Sequence, residues 1–151
     1  MNLPKKSLGQ NYLIDKNIIN KIIKQVKIKN KNVLEIGPGT ANLTNEIIKE
    51  KPKSLILIEK DKYLFSDLKN KFNDKKNIHL FNADFLKFNL LDNVENNTIV
   101  FGNLPYNISS QILVKLIKNT NNLSKFDYFI LMFQKELALS LIHISEPTRL
   151  G

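Results

Sequence analysis

The residue pattern predicts an α/β domain: a mostly parallel sheet with helices on both faces, carried to about a fifth strand. Two observations lead there. Short apolar runs, too hydrophobic to face water on either side, alternate with segments of helical periodicity, as in a parallel sheet buried on both faces. Residues able to do chemistry then fall where those runs stop: Gly37, Glu59, Asp84 and Asn103 each stand at, or within a few residues of, a predicted strand end. In sheets of this kind the crossovers are right-handed and ligands bind beyond the carboxyl ends of the strands.

Taken in order, Asp15 can cap a helix whose apolar face is Ile18, Ile19, Ile22, Ile23 and Val26. Residues 32–36 (NVLEI) read as a buried strand ending at Gly37-Pro38-Gly39, followed by a short helix over 44–50 that Pro52 stops. A second strand spans 54–59, and Asp61 opens a helix carrying Tyr63, Leu64, Leu68 and Phe72. The third strand covers 78–81 and ends near Asp84; the fourth covers 98–102 and runs into NLPYNIS. Ile112, Leu113, Leu116 and Ile117 predict a helix over 109–118, and residues 128–133 form a fifth strand. Phe65, Phe72, Phe81 and Phe85 fall on core-facing spacing.

Length and composition set the limits. The chain has 151 residues, enough for one such domain and too few for two. A hydrophobic fraction of 42% fits a globular protein, and the apolar runs are far shorter than a bilayer span. The opening MNLPKKSLGQ lacks the apolar stretch of a secretory signal, so a cytoplasmic home is expected, with no membrane partner. With no cysteine there is no disulfide framework, thiolate metal site or cysteine nucleophile. His79 sits inside a predicted strand with no second histidine near it in sequence, and no metal site is expected. The formal charge of +9 is compatible with a polyanionic partner. It is equally compatible with lysines that merely solvate the surface, because they are spread along the chain.

Four places carry chemistry. The Gly37-Pro38-Gly39 turn leaves strand one, and glycine there lets a ligand approach the backbone. A lone G-x-G is weak evidence. It gains weight because Glu59 ends the next strand, where a carboxylate can accept both hydroxyls of a ribose. The missing third glycine of G-x-G-x-x-G argues against a dinucleotide and for a nucleoside cofactor without phosphates. Asp84 can accept a hydrogen bond from an adenine amino group, or equally cap a helix. Asn103-Leu104-Pro105-Tyr106 is the sharpest signal. The exocyclic amine of adenine is a poor nucleophile because its lone pair is delocalised into the ring. The Asn103 side-chain oxygen and the Leu104 carbonyl can hold its two N–H groups, Pro105 stiffens the turn, and Tyr106 offers a face for a flipped base. An ordinary β-turn is the bland alternative.

Four segments, in this order and spacing, resemble the ribosomal RNA adenine N6,N6-dimethyltransferase family: KKSLGQNYL (5–13), VLEIGPG (33–39), FGNLPYNIS (101–109) and LMFQKE (131–136). The resemblance implies a Rossmann-like, class I S-adenosylmethionine-dependent methyltransferase. By it, Asn11 and Leu13 fold over the methionine end of the cofactor, Gly37 lines its pocket, Glu59 holds the ribose and Asp84 reads the adenine. Asn103 borders the cofactor and, with Leu104, Pro105 and Tyr106, forms the target-base site. The implied reaction is in-line methyl transfer, repeated to give dimethyladenine, on the rRNA of the small-subunit precursor by a monomeric enzyme. A large-subunit rRNA methyltransferase of the macrolide-resistance type and a non-catalytic RNA-binding assembly factor are the alternatives. Two residues depart from the family pattern. Ala41 replaces a usual glycine, tolerable if its φ is negative, and Tyr12 replaces a usual phenylalanine.

The end of the chain departs further. LSLIHISEPTR (139–149) matches no part of that family, holds the chain's only arginine and resembles an in-frame sequencing adapter. The expected organisation is a partial methyltransferase domain over 1–138 and a non-native tail over 139–151, with a C-terminal helical RNA-binding domain absent. Strand five, 128–133, is then expected to be an exposed apolar edge.

Overall fold

The computed structural model describes residues 15–104, 106–119, 125–133 and 138–143, and for residues 106, 107, 109, 133 and 138–143 it describes the backbone. Among the described residues, six strands form one sheet: β1 (Asn32–Ile36), β2 (Ser54–Glu59), β3 (Ile78–Asn82), β4 (Thr98–Leu104), β5 (Phe126–Phe133) and β6 (Ala138–His143). Their order is β3-β2-β1-β4-β5-β6. The first five strands pair in parallel and β6 joins β5 antiparallel.

The central strands are apolar on both sides because both sides are covered. Val33, Leu55, Leu57, Ile99 and Phe101 point to one core, shared with Ile19, Ile22 and Ile23 of α1 (Lys16–Ile23), Leu43 and Ile47 of α2 (Asn42–Lys49), and Leu68 and Phe72 of α3 (Lys62–Phe72). Leu34, Ile36, Ile56, Ile58, Val100 and Leu104 point to the other. That second core takes Leu90 of α4 (Leu90–Asn93) and Ile112 and Leu116 of α5 (Tyr106–Lys118), together with Phe85 of a 3-10 turn, Phe85–Lys87. The alternation along each strand thus feeds two cores, as a covered parallel sheet requires.

The helix starts follow local chemistry where a capping side chain exists. The Asp15 carboxylate accepts from Asn17 N (2.8 Å), and that of Asp61 accepts from Tyr63 N (2.8 Å) and Leu64 N (3.0 Å), satisfying first-turn N–H groups. α2 starts differently: Ala41 precedes it in the left-handed region, at φ 72°, with no side-chain cap. The negative φ on which tolerance of Ala41 was premised is therefore not what the chain adopts.

Several bounds move outward. α5 begins at Tyr106 rather than Ser109, and Ile108 packs on the second core, so the apolar face starts a turn earlier than Ile112. β4 continues through Asn103 and Leu104, which pair with Met132 and Phe133 of β5. The larger correction concerns the sheet edge. β5 is not exposed along its outer side, because β6 pairs with it in unbroken register from Tyr128↔His143 to Phe133↔Ala138. An edge strand presents a row of unsatisfied N–H and C=O groups, and the extended segment that follows satisfies them by turning back.

Candidate functional site

The strand order reverses beside β1: the chain moves outward from β1 to β2 and β3, then returns to the other side of β1 as β4. Crevices open at such switch points, beyond the carboxyl ends of the strands. Gly37 and Asn103 face each other there. A Cβ placed on Gly37 would stand 3.5 Å from the Asn103 carbonyl oxygen, and Gly37 has φ 66°, a conformation that an L side chain resists. Gly39 has φ 58°, so the whole turn relies on glycine.

Glu59 ties this turn to the end of β2. It is 3% exposed; its Oε1 accepts from Gly39 N (3.0 Å) and its Oε2 from Asp61 N (3.0 Å). Burial raises its pKa above the ordinary carboxylate value, against the backbone N–H groups of Asp61 and Gly39 that hold the charge, while the Asp61 carboxylate adds to the rise. The Glu59 carbonyl accepts from Ala83 N (3.1 Å) and Asn82 Nδ2 (2.9 Å), which brings the end of β3 alongside. Asp84 follows. One of its oxygens accepts from Leu86 N (3.0 Å), capping the 3-10 turn, and the other lies 3.8 Å from Lys60 Nζ. The capping role considered from sequence is thus real, and it occupies only one oxygen. Asp84, Glu59, Gly37 and Asn103 consequently stand in a row along β3, β2, β1 and β4. At the usual strand spacing the row is about 14 Å long.

Asn103 and Glu35 carry unspent hydrogen-bonding capacity. Among the described residues, two buried side-chain oxygens have no hydrogen-bond partner: Asn103 Oδ1 and Glu35 Oε2. Such a group costs about 1–3 kcal/mol unless something else satisfies it. Sequence reasoning singled out Asn103 and passed over Glu35. Glu35 is fully buried, its Oε1 accepts from the Thr44 hydroxyl (2.6 Å), and burial pushes its pKa up to about 8, with Glu59 adding to the rise. The signal was available, since a carboxylate in the middle of NVLEI has no wet face to occupy.

Lys115 was also missed. Its Nζ donates to the Phe85 carbonyl (2.6 Å) and the Phe88 carbonyl (2.5 Å), on the turn that follows Asp84. Its signal was a lysine at the spacing of the buried Ile112 and Leu116. Asn11, Leu13 and Pro105 lie outside the described residues, as does the side chain of Tyr106, whose backbone opens α5. Among the described residues no helix is long and apolar enough to cross a membrane.

Strand order and strand-end residues together define the class: this is the Rossmann-like fold of the class I S-adenosylmethionine-dependent methyltransferases. The chain belongs to the ribosomal RNA adenine dimethylase family, whose model matches residues 1–149. It is 50% identical over 138 residues to ribosomal RNA small subunit methyltransferase A of Pelagibacter ubique, covering 91% of this chain and 52% of that protein. The namesake of Mycoplasmopsis synoviae is 46% identical over 138 residues, covering 91% of this chain and 51% of that protein. The chain thus spans about half the length of the curated relatives it matches. Among solved structures, a dimethyladenosine transferase from Plasmodium falciparum superposes with TM-score 0.69 at 33% identity, over 83% of this chain and 44% of that one. The 23S rRNA methyltransferase ErmE superposes with TM-score 0.68 at 26% identity, over 83% of this chain and 49% of that one.

Proposed function

We propose that this chain carries the cofactor-binding and target-base chemistry of an enzyme that dimethylates adenine N6 in small-subunit ribosomal RNA, using S-adenosylmethionine. The observation that carries the reading is the buried, unpartnered Asn103 Oδ1 at the end of β4, beside the Gly37 turn at the switch point. A hydrogen-bond acceptor kept dry and unused at that place suits a ligand that brings N–H groups.

The residues present fit the cofactor. A buried carboxylate, Glu59, can accept sugar hydroxyls; Asp84 retains an oxygen for an adenine amino group; the positive-φ turn Gly37–Gly39 leaves the backbone open to close approach. Asn11 and Leu13 complete the methionine end in this reading. When bound, the cofactor supplies an electrophilic methyl group on a sulfonium. The chain's own part is positional. The Asn103 oxygen and the Leu104 carbonyl accept the two N–H bonds of the target amine, favouring a pyramidal nitrogen with its lone pair free for attack. Pro105 stiffens this turn and Tyr106 stacks on the flipped base. No strong base is needed, because the N6 proton can leave after the C–N bond has formed. A cytoplasmic monomer acting on the small-subunit precursor belongs to the same reading, supported by the family relation and the +9 charge.

Calorimetry of S-adenosylmethionine with the chain tests the first half. Binding at one site is expected, weakened about tenfold or more by Glu59→Ala, which removes a buried acceptor; no binding to the unmodified chain would sink the reading. Labelled transfer by the full-length protein to unmethylated small and large subunits, offered separately, tests the second half. Label in small-subunit adenine is expected. Label in the large subunit alone would favour the activity in the name of ErmE, and cofactor binding without transfer would favour a non-catalytic RNA-binding factor.

A further inference from the structure

Lys115 departs from what a lysine on a helix usually does. It lies on the side of α5 that carries Ile112 and Leu116, which are 2% and 0% exposed, yet it is itself part-buried, with its ammonium on main-chain oxygens and no carboxylate at contact distance among the described residues. Two of its three donors go to main-chain oxygens: the Phe85 carbonyl at 2.6 Å and the Phe88 carbonyl at 2.5 Å. The ammonium also stands 5.1 Å from the centroid of the Phe85 ring, within cation–π range. Burial lowers its pKa, and the Asp84 carboxylate works against that fall.

The two carbonyls belong to the 3-10 turn Phe85–Lys87 and its C-cap. Phe85 O already receives Phe88 N (3.1 Å), so its second lone pair is what Lys115 fills. At the other end of the turn, Asp84 receives Leu86 N. A carboxylate at the N-terminal end and an ammonium on the C-terminal carbonyls are the arrangement that peptide dipoles favour. The turn is held from both ends, and Asp84 is one of the two clamps. Phe85 is 4% exposed in the second core, which leaves the turn little freedom to slide.

We propose that Lys115 is a positioning residue for the cofactor's adenine, holding Asp84 in place through the Phe85 and Phe88 carbonyls. It also ties that base site to the target-base site, because α5 begins at Tyr106, two residues after Leu104. This inference rests on the assignment of Asp84 to the adenine amino group, so its test must separate the two. A purely structural tether would weaken every ligand alike. A positioning role weakens the ligand that Asp84 recognises.

The experiment compares S-adenosylhomocysteine with S-inosylhomocysteine, which carries a carbonyl oxygen where adenine has its amino group. Calorimetry is run on the 151-residue chain as it stands and on Lys115→Met, Lys115→Gln and Lys115→Arg. Lys115→Met is expected to weaken the adenosyl ligand about tenfold and the inosyl ligand less than about twofold, collapsing their ratio. Lys115→Arg, which retains charged donors, restores most of the preference. Should Lys115→Met not fold, Lys115→Gln, one atom shorter than lysine, removes the charge but retains an amide donor group, and the same ratio is read on it. An unchanged ratio in the folded variants, or equal weakening of both ligands, overturns the proposal. If the unmodified chain binds both ligands equally, the assignment of Asp84 falls first and takes this inference with it.

Discussion

Glu35 is the residue at which burial and charge collide. Its carboxyl keeps its proton up to about pH 8 in the folded chain, against an ordinary value of 4.5. Between those values the folded state binds more protons than the unfolded one. Its stabilising share is therefore complete below pH 4.5 and is lost progressively as pH rises to about 8. The slope is up to about 1.4 kcal/mol per pH unit. Glu35→Gln mimics the protonated acid and keeps an acceptor for Thr44, so urea unfolding at several pH values should show a flatter profile and a more stable variant at pH 8. Equal slopes would mean that the carboxylate is solvated after all. Ala41 shows a closer balance. Its left-handed φ of 72° costs about 1–2 kcal/mol. Glycine would relieve that, but would forfeit a buried methyl worth about 0.8 kcal/mol and add about 0.5–1 kcal/mol of backbone entropy. Ala41→Gly should thus leave stability within about 1 kcal/mol, while a β-branched Ala41→Val should lose more than about 2 kcal/mol by thermal unfolding. The family's glycine can be replaced here because the opposing effects nearly cancel.

At the scale of the element, sequence was most informative where one local rule governs the outcome. α3 is such a case. Asp61 caps two N–H groups, and Asp61→Ala should lower stability by about 1 kcal/mol, measured by denaturant midpoint at pH 7. The strand–helix alternation and the residues at strand ends were legible for the same reason: period and polarity are local properties. Errors gathered where a tertiary neighbour overrides local pattern. β4 runs on through Asn103 because β5 supplies partners, and α5 starts early because Ile108 finds the second core. β5 is covered rather than exposed because a following segment pairs with it, a fact about neighbours that no window of residues contains.

At the scale of the whole molecule, the site is a property of strand order. A ligand spanning the row from Asp84 to Asn103 would bridge four strands of the sheet and bind the folded state alone. S-adenosylhomocysteine at a hundred times its dissociation constant should then stabilise the chain by about 2.7 kcal/mol. For a chain of this size that is a rise of about 5–10 °C in Tm, readable by differential scanning fluorimetry. Absence of any shift, with calorimetry also silent, would remove the cofactor from the reading. By itself the sequence determined the α/β class, the strand-end placement of Gly37, Glu59, Asp84 and Asn103, and the family. These follow from periodicity, turn chemistry and side-chain functional groups. Only the tertiary structure decided that β1 separates β2 from β4, bringing Gly37 against Asn103. It alone joined Glu35 to Thr44 and Lys115 to the turn after Asp84. The reason is physical. The desolvation of a charge and the order of strands in a sheet are set by distant parts of the chain meeting, and local sequence carries no record of that meeting.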